Sequence, residues 1–113
     1  MLSSKYRFHS RGGVKYTYRH GKTLRRPAIS LVFNDNERGA TRFAVVISKK
    51  VIKSAVGRNR VRRRVYEAIR ADFDKIKPAR DYVFVIYDAK VKDMSFDSLR
   101  ALIRSLVEES MLQ

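Results

Sequence analysis

From Val61 the apolar positions Val61, Val65, Ala68, Ile69 and Phe73, then Ile76, recur at steps of three and four residues. At about 100° per residue they fall on one stripe, which predicts a helix with that stripe buried. The opposite side carries Asn59, Arg63, Tyr66 and Arg70, with Arg60 and Arg64 along one edge and Arg62 along the other. The helix is expected to begin near Ser54 or Gly57, and Pro78 terminates anything still continuing. A second stripe, Phe96, Leu99, Leu102, Ile103, Leu106 and Val107, predicts a final helix. Ser95 suits its N-cap, and Asp97 in the first turn suits the helix dipole.

Three apolar runs read as strands: Ala28–Phe33, Thr41–Ser48 and Tyr82–Tyr87. The first two flank a turn, Asn34–Gly39, rich in residues that bond their own backbone, and are expected to pair as a hairpin with a long loop. Alternation puts Phe43, Val45 and Ile47 on one sheet face and Ala44, Val46 and Ser48 on the other, without deciding which is open. Near the start, Arg11-Gly12-Gly13 reads as a breaker. Val14–Arg19 reads as a short helix capped by Gly21, although its Tyr and Thr content also suits a strand. Neither helices nor sheet can bury an apolar face alone. One α+β domain over residues 1–113 is therefore expected, a two-layer α/β sandwich in the order α-β-β-(β)-α-β-α, the bracketed strand being optional.

Charge changes the picture. The 113 residues hold 26 Lys and Arg against 11 acids, a net charge of +15. Residues 1–71 carry 19 basic and 3 acidic side chains (+16), whereas residues 72–113 carry 7 and 8 (−1). Such a balance favours an anionic partner, nucleic acid first and an anionic membrane surface second. There are no cysteines, so disulfides, thiolate metal sites and cysteine nucleophiles are excluded. No apolar run reaches the roughly 18–20 residues of a membrane span, and no signal peptide is evident, so a cytoplasmic protein is the expectation.

The densest feature is Gly57-Arg58-Asn59-Arg60-Val61-Arg62-Arg63-Arg64, which places five arginines within residues 58–64. Val61 interrupts them where the core needs it, so this is a packed helix with a basic outer surface. Arginine's planar fork binds a phosphate with two parallel bonds, and neighbours three and four apart let one helix follow several phosphates. Asn59 adds donor and acceptor capacity for a sugar or base edge. Lys49 and Lys50 extend the charge upstream.

Arg58-Asn59-Arg60, continued by Val61-Arg62-Arg63-Arg64-Val65 and Glu67, resembles the signature of the bacterial ribonuclease P protein family. Thr41–Lys50 looks like that family's central strand with its Ser-Lys-Lys ending. Tyr6-Arg7-Phe8, Tyr18-Arg19-His20-Gly21-Lys22 and Asp81-Tyr82-Val83 match further pieces, so the resemblance spans nearly the whole chain. The departures are Val14 where Phe is usual, Ala44 where Gly is frequent, and a connection Val51–Gly57 that is one residue longer and lacks a Gly-Asn pair.

The resemblance implies a ribosomal protein S5 domain 2-like fold with a left-handed crossover into the Arg-rich helix, where general rules favour a right-handed one. It implies the protein subunit of a ribonucleoprotein endoribonuclease that matures tRNA 5′ ends. The active site would lie in the RNA, with Mg2+ required by the holoenzyme and no protein ligand assigned. Its partners would be the catalytic RNA and precursor tRNA, with neither a membrane nor an obligate protein partner. On this reading the RNA-binding residues are Arg58, Asn59, Arg60, Arg62, Arg63, Arg64, Lys49 and Lys50. Phe8, Lys15, Tyr18, Arg19, Phe43 and Val45 form a cleft for the single-stranded 5′ leader, aromatic rings stacking on bases while cations hold phosphates.

No catalytic set is visible in the chain. Asp72 and Asp74 point apart on a helix, Asp35 and Glu37 belong to a turn, and His9 and His20 are isolated. A structural RNA-binding protein such as a ribosomal protein is the alternative; it explains the charge but not the whole-chain resemblance. A DNA-binding repressor lacks the second helix that its motif needs upstream.

Overall fold

The computed structural model describes Arg7 and residues 11–36, 41–72 and 79–113. The expectations for Phe8, His9, Phe73, Ile76 and Pro78 fall outside these. In chain order the elements are α1 (Arg11–His20), β1 (Lys22–Arg25), β2 (Ile29–Asp35), β3 (Arg42–Ile47), α2 (Ala55–Ala71), β4 (Arg80–Ile86), a 3-10 turn (Ala89–Asp93) and α3 (Phe96–Ser110). The optional strand lies before the first predicted strand, as β1. The Arg11-Gly12-Gly13 breaker is instead the first turn of α1.

The sheet order is β1-β2-β4-β3. The predicted hairpin of β2 with β3 is therefore not formed: β4 lies between them, antiparallel to β2 and parallel to β3. The reason is burial. Every residue of β4 except Val85 is buried, so this strand belongs at the centre with partners on both edges. The chain reaches it from β3 by crossing through α2.

One face of the sheet carries Ile29, Leu31, Phe33, Phe43, Val45, Ile47, Tyr82, Phe84 and Ile86, packed against Val61, Val65, Ala68 and Ile69 of α2 and Leu99, Ile103, Leu106 and Val107 of α3. This is the two-layer core, and the predicted α2 stripe is buried in it. Ser54 caps α2 by accepting from the Gly57 amide at 3.1 Å, and Ser95 caps α3 the same way from Ser98.

Tyr66 corrects the helical wheel. Placed on the outward side by spacing, it is only 2% exposed and joins the core. The sheet ends at β3, so α2 overhangs an edge, and the turn of the helix beyond the main stripe also meets protein. Arg7 covers the same edge through a parallel bridge to Phe43, its guanidinium 5.5 Å from the Tyr66 ring centre.

Burial also pushes the Tyr66 and Tyr82 phenols above their ordinary range, because desolvation disfavours the phenolate. A raised folded-state value means the stability contribution is full below the unfolded value of about 10 and is lost as pH rises through the folded one. Denaturant unfolding between pH 8 and 11 should show stability falling above pH ~10, less steeply in Tyr66→Phe. An unchanged slope in that variant would contradict the burial of the hydroxyl.

The other sheet face is only partly covered. Val14 of α1 packs on Val32, Ala44 and Val83, with Val46 and Val85 beside them. The close approach of α1 to the sheet depends on Gly21. Its amide bonds the Thr17 carbonyl at 2.7 Å, and a Cβ there would meet the Thr17 and Phe33 carbonyl oxygens at 2.5 and 2.6 Å.

Candidate nucleic-acid interface

The arginines of α2 divide by what holds them. Arg60 and Arg63 are exposed, with no partner among the described residues. Arg62 donates to Asn59 Oδ1 at 2.8 Å, which orients both side chains along the helix surface. Arg58 is turned back onto the preceding loop and donates to the carbonyls of Ile52 and Lys53 at 2.9 and 2.8 Å. Arg64 reaches the 3-10 turn, donating to the carbonyls of Val91 and Lys92, both at 3.3 Å, and to that of Met94. The family resemblance implies RNA contact for both; in the structure their guanidinium groups are engaged by these backbone carbonyls. For Arg58, which spacing places nearer the buried stripe, ordering of the helix start and its loop is legible in the sequence; for Arg64 it is not, because its recipient carbonyls lie 27–30 residues away.

The loop that Arg58 fastens carries Lys49, Lys50 and Lys53, all exposed. The turn is closed by the amides of Val51 and Ile52 on the Ser48 carbonyl. It leads directly into the N-terminus of α2, so these lysines continue the basic surface of Asn59, Arg60, Arg62 and Arg63. Among the carboxylates, Glu67 is the one on α2, and it pairs with Arg70 at 3.8 Å.

The second surface lies beside α1. Lys15 and Arg19 are exposed on the helix, and Tyr16 and Tyr18 are 56% and 44% exposed. The Tyr16 ring lies 4.2 Å from that of His20, which sits in the last turn of α1, where a cation suits the dipole. Part burial raises the Tyr18 phenol above its usual range, so its hydroxyl stays protonated at neutral pH.

The floor beside this helix is not Phe43 and Val45. Those side chains are 0% and 7% exposed within the helix-covered core, Phe43 stacked on Tyr82 at 5.3 Å. The alternation holds, and the structure decides which face is open. The larger set, Phe43, Val45 and Ile47, fills the space under two helices, while the smaller set, Ala44, Val46 and Ser48, faces the side with one short helix. The partly open positions on that face are Val85 and Val46, paired in register and both half-buried; Ser30 beside Val85 is buried. Side-chain volume was the signal that could have found them.

Carboxylates are committed elsewhere. Asp81 takes both Arg42 nitrogens at 2.9 and 2.7 Å and the Asn36 amide at 2.8 Å. Asp72 holds Arg100 through two bonds of 3.1 Å. Asp35 holds the buried Arg80 at 2.8 Å. Among the described residues no group of three or more His, Asp or Glu side chains could hold a metal ion. Nor is any described helix long and apolar enough to cross a membrane.

Comparison with known proteins agrees with this layout. The family model described as Ribonuclease P matches residues 2–110. A ribonuclease P protein component of Clostridioides difficile is 37% identical over 94 residues, covering 82% of this chain and 81% of that protein. One from Roseiflexus castenholzii is 30% identical over 109 residues, covering 96% and 88%. Among solved structures, the ribonuclease P protein of Thermotoga maritima superposes with a TM-score of 0.82 at 22% identity, over 91% of this chain and 96% of that one. That of Staphylococcus aureus gives 0.81 at 21% identity, over 93% and 94%. A basic helix, a half-open sheet face and a match along almost the whole sequence thus converge, and the chain belongs to the ribonuclease P protein family, the non-catalytic protein subunit of that tRNA-processing endoribonuclease.

Proposed function

We propose that the chain binds the catalytic RNA of ribonuclease P through the outer face of α2 and the single-stranded 5′ leader of precursor tRNA through the strip beside α1, and that it works in the cytoplasm. The carrying observation is the half-covered sheet face. Val14 of α1 packs in the same cluster as the part-exposed Val46 and Val85, and that helix also presents Tyr18, Lys15 and Arg19 to solvent, which offers apolar contact for bases and charge for phosphates. In this proposal the RNA performs the hydrolysis with Mg2+ and the protein holds the substrate.

The reading expects the holoenzyme to prefer leader-bearing tRNA over mature tRNA. A stacked base is worth roughly 1–3 kcal/mol, so one good stack gives about tenfold. Affinities of wild type, Tyr18→Ala and Val46→Ser for tRNA with and without a leader of several nucleotides test this. A wild-type preference that shrinks in either variant supports it. Equal wild-type affinities would remove leader binding from the proposal, and a preference untouched by both replacements would place the leader elsewhere.

A further inference from the structure

Resting on the RNA-binding reading of α2, we propose that the groove between Arg7 and the first three turns of α2 is a pocket for one unstacked nucleotide of the RNA partner. The groove has a volume of about 450 Å3 and is lined by Arg7, Val56, Asn59, Arg62, Arg63 and Tyr66. That lies within the ~300–1,000 Å3 typical of small-molecule sites.

Three features favour a nucleotide over a bare phosphate track. First, the free polar atoms of the lining are donors. Among the described residues Arg7 Nε is buried without a hydrogen-bond partner, Arg63 is exposed, and Asn59 Oδ1 accepts from Arg62. No carboxylate lines the groove among the described residues, so the ligand should be rich in acceptors, as a phosphodiester and a base carbonyl edge are. Second, Val56 is 76% exposed on the rim. An apolar side chain adds nothing to phosphate binding but can pack on a base. Third, Arg7 comes from outside the helix and is braced by its bridge to Phe43 and by the Tyr66 ring. A guanidinium placed over one ring in this way can offer its plane to a base. The spacing of α2 could not reveal this pocket, because Arg7 lies about fifty residues upstream of it.

The test measures binding of the full-length protein to ribonuclease P catalytic RNA for wild type, Arg7→Ala, Val56→Asp and Arg60→Ala. Val56→Asp keeps the fold, because the position is exposed and an acid in the first turn suits the helix dipole. It changes the net charge by the same −1 as Arg60→Ala, which lies outside the pocket. Arg7→Ala and Val56→Asp should each weaken binding roughly tenfold or more, and more than Arg60→Ala does. In protein with 15N-labelled arginine, guanosine 5′-monophosphate should shift the Arg7 Nε–H signal at concentrations where inorganic phosphate does not. If Val56→Asp costs no more than Arg60→Ala, or phosphate and the monophosphate act alike, the nucleotide pocket is overturned while RNA binding by α2 stands. If the wild type does not bind the RNA, the underlying reading fails and takes the pocket with it.

Discussion

Val65→Asp will not yield a folded protein. Val65 is fully buried, in the middle of the α2 stripe and within the cluster that joins the helices to the sheet. An unpaired carboxylate there loses its water and finds no donor. That costs several kcal/mol, or forces the acid to protonate. A domain of this size has only about 5–15 kcal/mol of stability to lose, and the deleted Val packing adds to the loss. Circular dichroism on heating should show no cooperative transition for Val65→Asp. The matched Arg60→Asp, on the exposed side of the same helix, should unfold close to wild type. Native-like melting of Val65→Asp would mean that the stripe does not face the sheet.

RNA affinity will collapse with salt. Lys49, Lys50, Lys53, Arg60, Arg62 and Arg63 face solvent wholly or in part on one continuous basic surface. Each phosphate neutralised releases a counterion, and about six such contacts imply a loss of affinity of the order of 10³ between 50 and 200 mM salt. Arg60→Ala and Arg63→Ala should each reduce the slope of log affinity against log salt by about one, without lowering the melting temperature. Arg64→Ala should do the reverse. Its side chain ties α2 to three carbonyls of the 3-10 turn and its end, so removing it breaks those links and lowers stability. Titrations at several salt concentrations beside thermal melts separate the two behaviours. An affinity indifferent to salt would rule out the phosphate account, and an Arg64→Ala protein as stable as wild type would return Arg64 to the binding surface.

Local pattern carried the elements further than it carried their arrangement. The α2 stripe, the caps Ser54 and Ser95 and the three longer strands follow from periodicity and short-range hydrogen bonding, which act within a few residues. Strand order does not. That β4 inserts between β2 and β3 depends on long-range burial, and two strands adjacent in sequence gave the simpler but wrong hairpin. The same divide runs through the site. Arg60, Arg63, Asn59 and the lysine turn stand outward as their spacing implies. Arg58 and Arg64 do not, because their partners are carbonyls elsewhere in the chain. Tyr66 is buried since α2 overhangs an edge strand, a circumstance invisible to a helical wheel. The open strip Val46 and Val85 was one residue out of phase with the choice of Phe43 and Val45, and in a strand one residue is the whole difference between core and surface.

This protein should make a catalytic RNA an efficient processor of tRNA precursors without cutting RNA itself. The direct measurement is the rate of 5′ leader removal from a precursor tRNA by a bacterial ribonuclease P RNA at low Mg2+, with and without the protein, alongside the protein alone. The account predicts little cleavage by the RNA alone at that Mg2+ concentration, none by the protein alone, and efficient cleavage at the mature 5′ end by the two together. A catalytic RNA whose cleavage is unchanged by stoichiometric folded protein would contradict it, as would cleavage by the protein alone.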